Sequence, residues 1–165
     1  MDYPGARYWV PSPNHSPRRP EDIRSVVIHT TQGPARDESG TVNKMRNTSA
    51  GIHYVVNRDG VITQMVRDNQ ITFHVGDTID YWANSDSIGI EHVNTRGDTP
   101  TPALYLASAG LVRWLCERYH IPKIHELRAR VPGIKDHQVV SSTNKRCPGR
   151  DWDWDHYMSL VAPSG

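Results

Sequence analysis

Hydrophobic and polar residues change period several times along this chain, and each change predicts an element. Ser25-Val26-Val27-Ile28-His29-Thr30-Thr31 is a short β-branched run that closes on polar residues, the pattern of a buried strand. Ile52–Val56 and Val61–Val66 alternate as strands around Asn57-Arg58-Asp59-Gly60, and Asp-Gly between two such runs predicts a hairpin. Ser87–Val93 reads as a further strand, with Glu91 where an apolar residue is expected. From Pro102 to Tyr119 the positions Ala103, Ala107, Leu111, Trp114 and Leu115 recur at helical spacing behind an N-terminal proline. Shorter helical patterns cover Thr41–Asn47 and Trp154–Val161, and the segment from Gly33 to Gly40 reads as loop.

Ahead of the first strand, residues 1–22 carry Pro4, Pro11, Pro13, Pro17 and Pro20, which exclude a regular helix or interior strand. An extended arm packed on the domain and anchored by Tyr8 and Trp9 is expected there. The domain proper is then placed at 23–161, and 162–165 reads as a domain end or a truncated linker. Strand, hairpin, strand and helix in this order predict a single α/β domain, a central mixed sheet flanked by helices.

Composition narrows the picture modestly. The 165 residues are 36% hydrophobic and 22% charged, with a net charge of +1, so no strongly basic face points to nucleic acid. No stretch of about 18 apolar residues predicts a membrane span. The first twenty residues lack the apolar core of a secretory signal, so a protein made in the cytoplasm is expected, and a monomer. Cys116 lies in a helical pattern as a buried, inert thiol and Cys147 in a polar loop, so the two are not paired.

Candidate chemistry gathers at polar strand ends and loops. His29, His137 and Cys147 offer imidazole and thiolate, the ligand types zinc prefers, and three protein ligands leave a fourth position open, as catalysis requires. Taken singly, each also fits a structural role: a strand-end histidine, a capping histidine after Asp136, a small turn residue before Pro148-Gly149. His125-Glu126 does not open a zincin helix, because Ala129 stands where the second histidine belongs. His53 and His92, inside strands, read as hydrogen-bonded structural residues.

The ordered set SVVIHTTQG, SAGIHYVVNRDG, HVGD, SIGIEHVN and DHQVVSSTNKRCPGRDWDW, running from Ser25 to Met158, resembles the type 2 N-acetylmuramoyl-L-alanine amidases. That family is shared by bacterial cell-wall hydrolases, phage endolysins and animal peptidoglycan recognition proteins. The resemblance implies one zinc ion per chain held by His29, His137 and Cys147, the third ligand being Asp in one branch and Cys in the others. It implies Glu91 as the carboxylate facing the reacting water and Lys145 as an oxyanion partner. His74 matches a region lining the substrate groove and is a candidate to bind glycan or peptide; Trp82, whose ring can stack on a sugar, and Asn84, whose amide can bond an acetamido group, are similar candidates. Ile52 stands where some phage enzymes have a catalytic Tyr, so the chain combines one branch's base with another branch's metal set.

The implied reaction is hydrolysis of the amide between N-acetylmuramic acid and L-Ala in peptidoglycan, with an endolysin, or its catalytic piece, as the implied source. Two alternatives stay open at this point: a recognition module that binds peptidoglycan without cutting it, and a zinc peptidase acting within the stem peptide.

Overall fold

The computed structural model describes residues 1–33, 38–78 and 83–163. In chain order it contains β1 (Tyr8–Trp9), β2 (Ser16–Pro17), a 3₁₀ turn (Pro20–Asp22), β3 (Ser25–Thr30), α1 (Glu38–Asn47), β4 (Tyr54–Val56), β5 (Ile62–Gln64), β6 (Gln70–Ile71), β7 (Ser87–His92), α2 (Pro102–Tyr119), β8 (Gly133–Asp136), α3 (His137–Val140) and α4 (Trp154–Val161). Six strands form one mixed sheet in the order β1-β5-β4-β7-β3-β8, and β2 pairs with β6 in a separate two-stranded ribbon. Strands β4, β7, β3 and β8 run parallel, while β5 returns antiparallel to β4.

Parallel strands are covered on both faces, which is why β3 and β7 are buried at every position and read as near-continuous apolar runs. One face carries Val26, Ile28, Tyr54, Val56, Ile88 and Ile90 against α2 and α4, the main core. The opposite face carries Val27 against Val75, Ala83 and Val140, and Val55 against Val42, Ile52, Met65 and Val93. That second face holds the candidate site.

The hairpin turns where expected. Asp59 Oδ1 accepts from Val61 N (3.0 Å), and Gly60 takes the left-handed φ of 85° that the turn requires. Its strands are shorter than the alternation predicts, because Met65 N and Val66 N both donate to the His53 carbonyl and break the ladder. Thr101 caps α2 by accepting from Leu104 N (3.1 Å), Pro102 opens it, and His120 closes it in the left-handed region.

The buried stripe of α2 is rotated from the predicted one: Leu104, Ser108, Leu111 and Leu115 face the core, Ala103 is exposed, and Trp114 is half-buried. Ser108 is drawn inside by hydrogen bonds to His92 Nε2 (2.6 Å) and the Tyr157 hydroxyl (2.7 Å), a polar anchor that hydrophobic periodicity does not register. Cys116 sits on this buried face as a free thiol, pushed up to about 12 by desolvation.

Strand β8 is absent from the sequence pattern because its central residue is Lys135, fully buried and donating Nζ to the carbonyls of Arg128 (2.7 Å) and Val131 (2.5 Å). The arm likewise holds by other means than its aromatic residues: Tyr8 and Trp9 remain 46% and 38% exposed. Its backbone adds β1 to β5, Asp2 accepts from Gln64 Nε2 (2.6 Å) and Asp68 N (3.0 Å), and Arg18 reaches inward. The Arg18 guanidinium donates to the carbonyls of Asp68 (2.8 Å), Ser85 (3.3 Å) and Ser87 (2.7 Å). Among the described residues no helix is long and apolar enough to cross a membrane.

Arg18→Ala leaves those carbonyls without their donor, and a buried acceptor stripped of its partner costs about 1–3 kcal/mol. The expected loss is about 3 kcal/mol overall, read as a lower urea midpoint with an unchanged slope. An unchanged midpoint would show the arm to be dispensable to the fold.

Candidate metal centre

The site forms at the carboxyl ends of adjacent parallel strands, where open α/β sheets leave a crevice. Strand β3 delivers His29 one residue before its end; β8 runs directly into α3, whose first residue is His137; the loop after α3 brings back Cys147. Thr30 fastens that loop, its amide donating to Cys147 Sγ (3.1 Å) and its hydroxyl to the Pro148 carbonyl (2.9 Å). The Cys147 carbonyl accepts from Gln138 N (3.1 Å), tying the loop to α3 as well.

His29, His137 and Cys147 are all buried, and their ligand atoms lie within 4.8 Å of one another. His29 Nδ1 and His137 Nδ1 stand 3.1 Å apart. Two nitrogens about 2.0–2.1 Å from a tetrahedral zinc are about 3.3 Å from each other, so the pair is spaced as zinc ligands are. His137 Nε2 lies 2.8 Å from the Val75 carbonyl, which only accepts, so Nε2 carries the proton and Nδ1 presents a lone pair.

Burial holds His29, His74 and His137 below the ordinary imidazole range, with neighbouring rings adding to the effect at His29 and the Lys145 charge at His137. Neutral imidazole is the form a metal takes. Desolvation, with Glu91 nearby, pushes the Cys147 thiol up, so a cation binding here displaces its proton. This donor set fits zinc.

Glu91 pairs in register with His29 across β3 and β7, so the two side chains leave the same face of the sheet. It is buried, Oε1 has no hydrogen-bond partner, and desolvation pushes its carboxyl up to about 8, with the Lys44 charge of α1 opposing. A buried carboxyl with an idle oxygen is a group prepared to exchange a proton.

Lys145 is exposed two residues before Cys147 and lines a cavity of about 860 Å³ with Gln32, Gln138, Arg146 and Arg150. Ile52, at the position of the absent Tyr, is buried in the apolar cluster beneath α1. Trp82 lies outside the described residues.

The structure gives His74 and Asn84 contacts within the protein. Asn84 is fully buried and spends its amide on Val75 N (2.8 Å) and the Gly76 carbonyl (3.1 Å). His74 is 8% exposed, with Nδ1 3.0 Å from His29 Nε2 and Nε2 3.0 Å from Ser87 Oγ. The sequence reading missed Ser87 and the Val75 carbonyl; the one looks like an ordinary strand serine and the other is backbone. His53 and His92 are seated as structural residues, His53 Nδ1 accepting from Gly89 N (3.0 Å) and His92 Nδ1 donating to the His29 carbonyl (2.7 Å).

A mixed α/β sheet with two imidazoles, a thiol and a buried carboxyl converging at its strand ends has the framework of a hydrolase. The family model described as N-acetylmuramoyl-L-alanine amidase matches residues 19–150, and the chain belongs to that family, whose members hydrolyse peptidoglycan. It is 28% identical over 181 residues to N-acetylmuramoyl-L-alanine amidase A of Achromobacter lyticus, covering 98% of this chain and 96% of that one. It is 27% identical to the 1,6-anhydro-N-acetylmuramyl-L-alanine amidase AmpD of Haemophilus influenzae, covering 92% and 90%. A crystal structure of an AmpD derivative superposes with a TM-score of 0.73 at 24% identity, over 96% of each chain, and shares the fold.

Metal-free protein should show the proton held by Glu91. The unfolded chain gives it up near the ordinary value of 4.5 and the folded chain at about 8, so stability falls as pH rises through that interval and levels off above it. In Glu91→Gln this part of the slope disappears. Urea midpoints from about pH 5 to about pH 9 with a chelator present check it: parallel curves for the two proteins would show that Glu91 keeps no proton.

Proposed function

We propose that this chain is a zinc-dependent amidase that hydrolyses the amide between N-acetylmuramic acid and L-Ala of the peptidoglycan stem. The observation that carries the reading is the convergence of His29, His137 and Cys147, whose ligand atoms lie within 4.8 Å of one another, with Glu91 in register beside His29. Family membership supplies the bond to be cut, as the name of the Achromobacter relative does.

Zinc at these three residues supplies a Lewis acid that brings the acidity of a water towards neutral pH. Glu91 takes the proton of the water that attacks the amide carbonyl; its burial makes it a stronger base than an exposed carboxylate. Lys145 places an ammonium charge at the mouth of the site, where the negative charge on the carbonyl oxygen develops. Glu91 then returns the proton to the departing amine of L-Ala. The cavity beside Lys145, with Arg96, Arg146 and Arg150 in its walls, is suited to the carboxylates of a stem peptide.

Use as a phage endolysin is the finer form of this proposal. A lytic enzyme clears suspensions of intact cross-linked wall, whereas one confined to soluble anhydromuropeptides, the substrate type in the name of the Haemophilus relative, does not. A turbidity assay on purified wall separates the two.

Two variants divide the proposed roles. Cys147→Ser is expected to lose both bound zinc and hydrolysis, and Glu91→Gln to keep zinc while turnover falls about 10²–10⁴-fold. Metal analysis alongside release of product from a defined muropeptide reads both. Mass spectrometry of the product should find peptides with a free L-Ala amino terminus; cuts inside the stem peptide would instead make the chain a zinc peptidase.

A further inference from the structure

We propose that the segment His74–Gly76 is a brace that fixes the tautomers of both metal-binding histidines, with Ser87 and Gly89 of β7 as its foundation. The inference rests on the zinc reading above and assigns His74 as a positioning residue for His29.

The proton positions follow from one hydroxyl. Ser87 Oγ lies 2.6 Å from the Ala83 carbonyl, which can only accept, so the single proton of Ser87 is spent there. At the contact between Ser87 Oγ and His74 Nε2 (3.0 Å), the proton therefore belongs to Nε2. A neutral imidazole carries one N–H, so His74 Nδ1 is an acceptor, and His29 Nε2, 3.0 Å away, donates to it. His29 Nδ1 is left with a bare lone pair facing His137 Nδ1 at 3.1 Å.

The next residue does the same for the other ligand. The Val75 carbonyl takes the Nε2 proton of His137 and leaves its Nδ1 bare. The reversed chain, with Ser87 donating to His74 Nε2 and each ring proton moved one place along, strips the Ala83 carbonyl of its donor at 2.6 Å, and an orphaned buried acceptor costs about 1–3 kcal/mol. Two consecutive residues thus turn two lone pairs towards one point.

The brace is itself held rigid. Asn84 accepts from Val75 N and donates to the Gly76 carbonyl, closing both sides of the peptide whose carbonyl meets His137. Beneath the His74 ring lies Gly89, where an added Cβ would stand 2.5 Å from both His74 Cγ and Nδ1. Only a residue without a side chain leaves room for the ring. Residues alternate between faces along a strand, so Ser87, Gly89 and Glu91 share the site face of β7 as anchor, seat and base.

The test uses the full chain, with zinc affinity measured against a competing chelator and histidine tautomers read by ¹⁵N NMR of the metal-free protein at neutral pH. Ser87→Ala and His74→Leu are expected to weaken zinc binding about 10–100-fold. His74→Asn, whose amide oxygen can occupy the place of Nδ1, should recover most of the loss. In the wild type, His29 should carry its proton on Nε2. Thermal melting of the metal-free variants identifies any that fail to fold, and Ser87→Ala, the mildest change, keeps the comparison available.

Unchanged zinc affinity in folded Ser87→Ala and His74→Leu, or a His29 proton found on Nδ1, overturns the brace. A raised KM for muropeptide at wild-type zinc affinity also overturns it and returns His74 to substrate contact. If the wild type binds no zinc, or binds it equally well as Cys147→Ser, the zinc reading itself fails; with that binding intact, only the brace is at stake.

Discussion

The parallel pairing of β3 with β7 is the constraint on which the site depends. Its register sets His29 beside Glu91 and places Ser25 to Thr30 opposite Ser87 to His92 without a bulge. A slip of one residue would turn His29 into the core beneath α2 and bring Ile28 to the crevice. Both faces of these strands are packed, so that slip would expose or bury the wrong side chains along the whole length, and the apolar core fixes the position of a polar group. The hairpin and β8 then extend the sheet to either side, and β8 ends where His137 must begin.

The chemistry draws on the same burial. Water would solvate an imidazole, a thiolate or a carboxylate; in this crevice each is driven to its neutral form instead. The result is a cluster with a protonated thiol, an idle carboxyl oxygen and two imidazole Nδ1 atoms 3.1 Å apart. Such a cluster is costly for a folded protein without a cation and favourable with one. On the proposed zinc reading, the cost of desolvating these groups is coupled to metal binding.

Around this cluster, polar groups are buried in complete chains of donors and acceptors. Ser87, His74 and His29 form one chain, Asn84 and Val75 meet His137 in a second, and His92 joins the His29 carbonyl to Ser108 and Tyr157 in a third. Arg18 plays a similar part at the opposite end of β7, where its contact with the Ser87 carbonyl binds the arm to the strand that carries Glu91. The proline-containing arm is thus structural even though its aromatic residues are largely exposed.

Much of this was legible along the chain. The apolar runs of β3 and β7, the Asp-Gly turn and the Pro-capped α2 predict their elements because local propensity and burial agree at those places. The motif order of the family names His29, His137, Cys147 and Glu91. By itself the sequence determined β3, the β4–β5 hairpin, β7, the helices α1, α2 and α4, and the inventory of reactive groups, since these follow from periodicity and residue type. The tertiary structure alone decided β8, where a buried lysine hides the strand, the rotation of α2 towards Ser108, and the inward contacts of His74 and Asn84. Those depend on which donor meets which acceptor across residues distant in sequence, and no local pattern encodes that pairing.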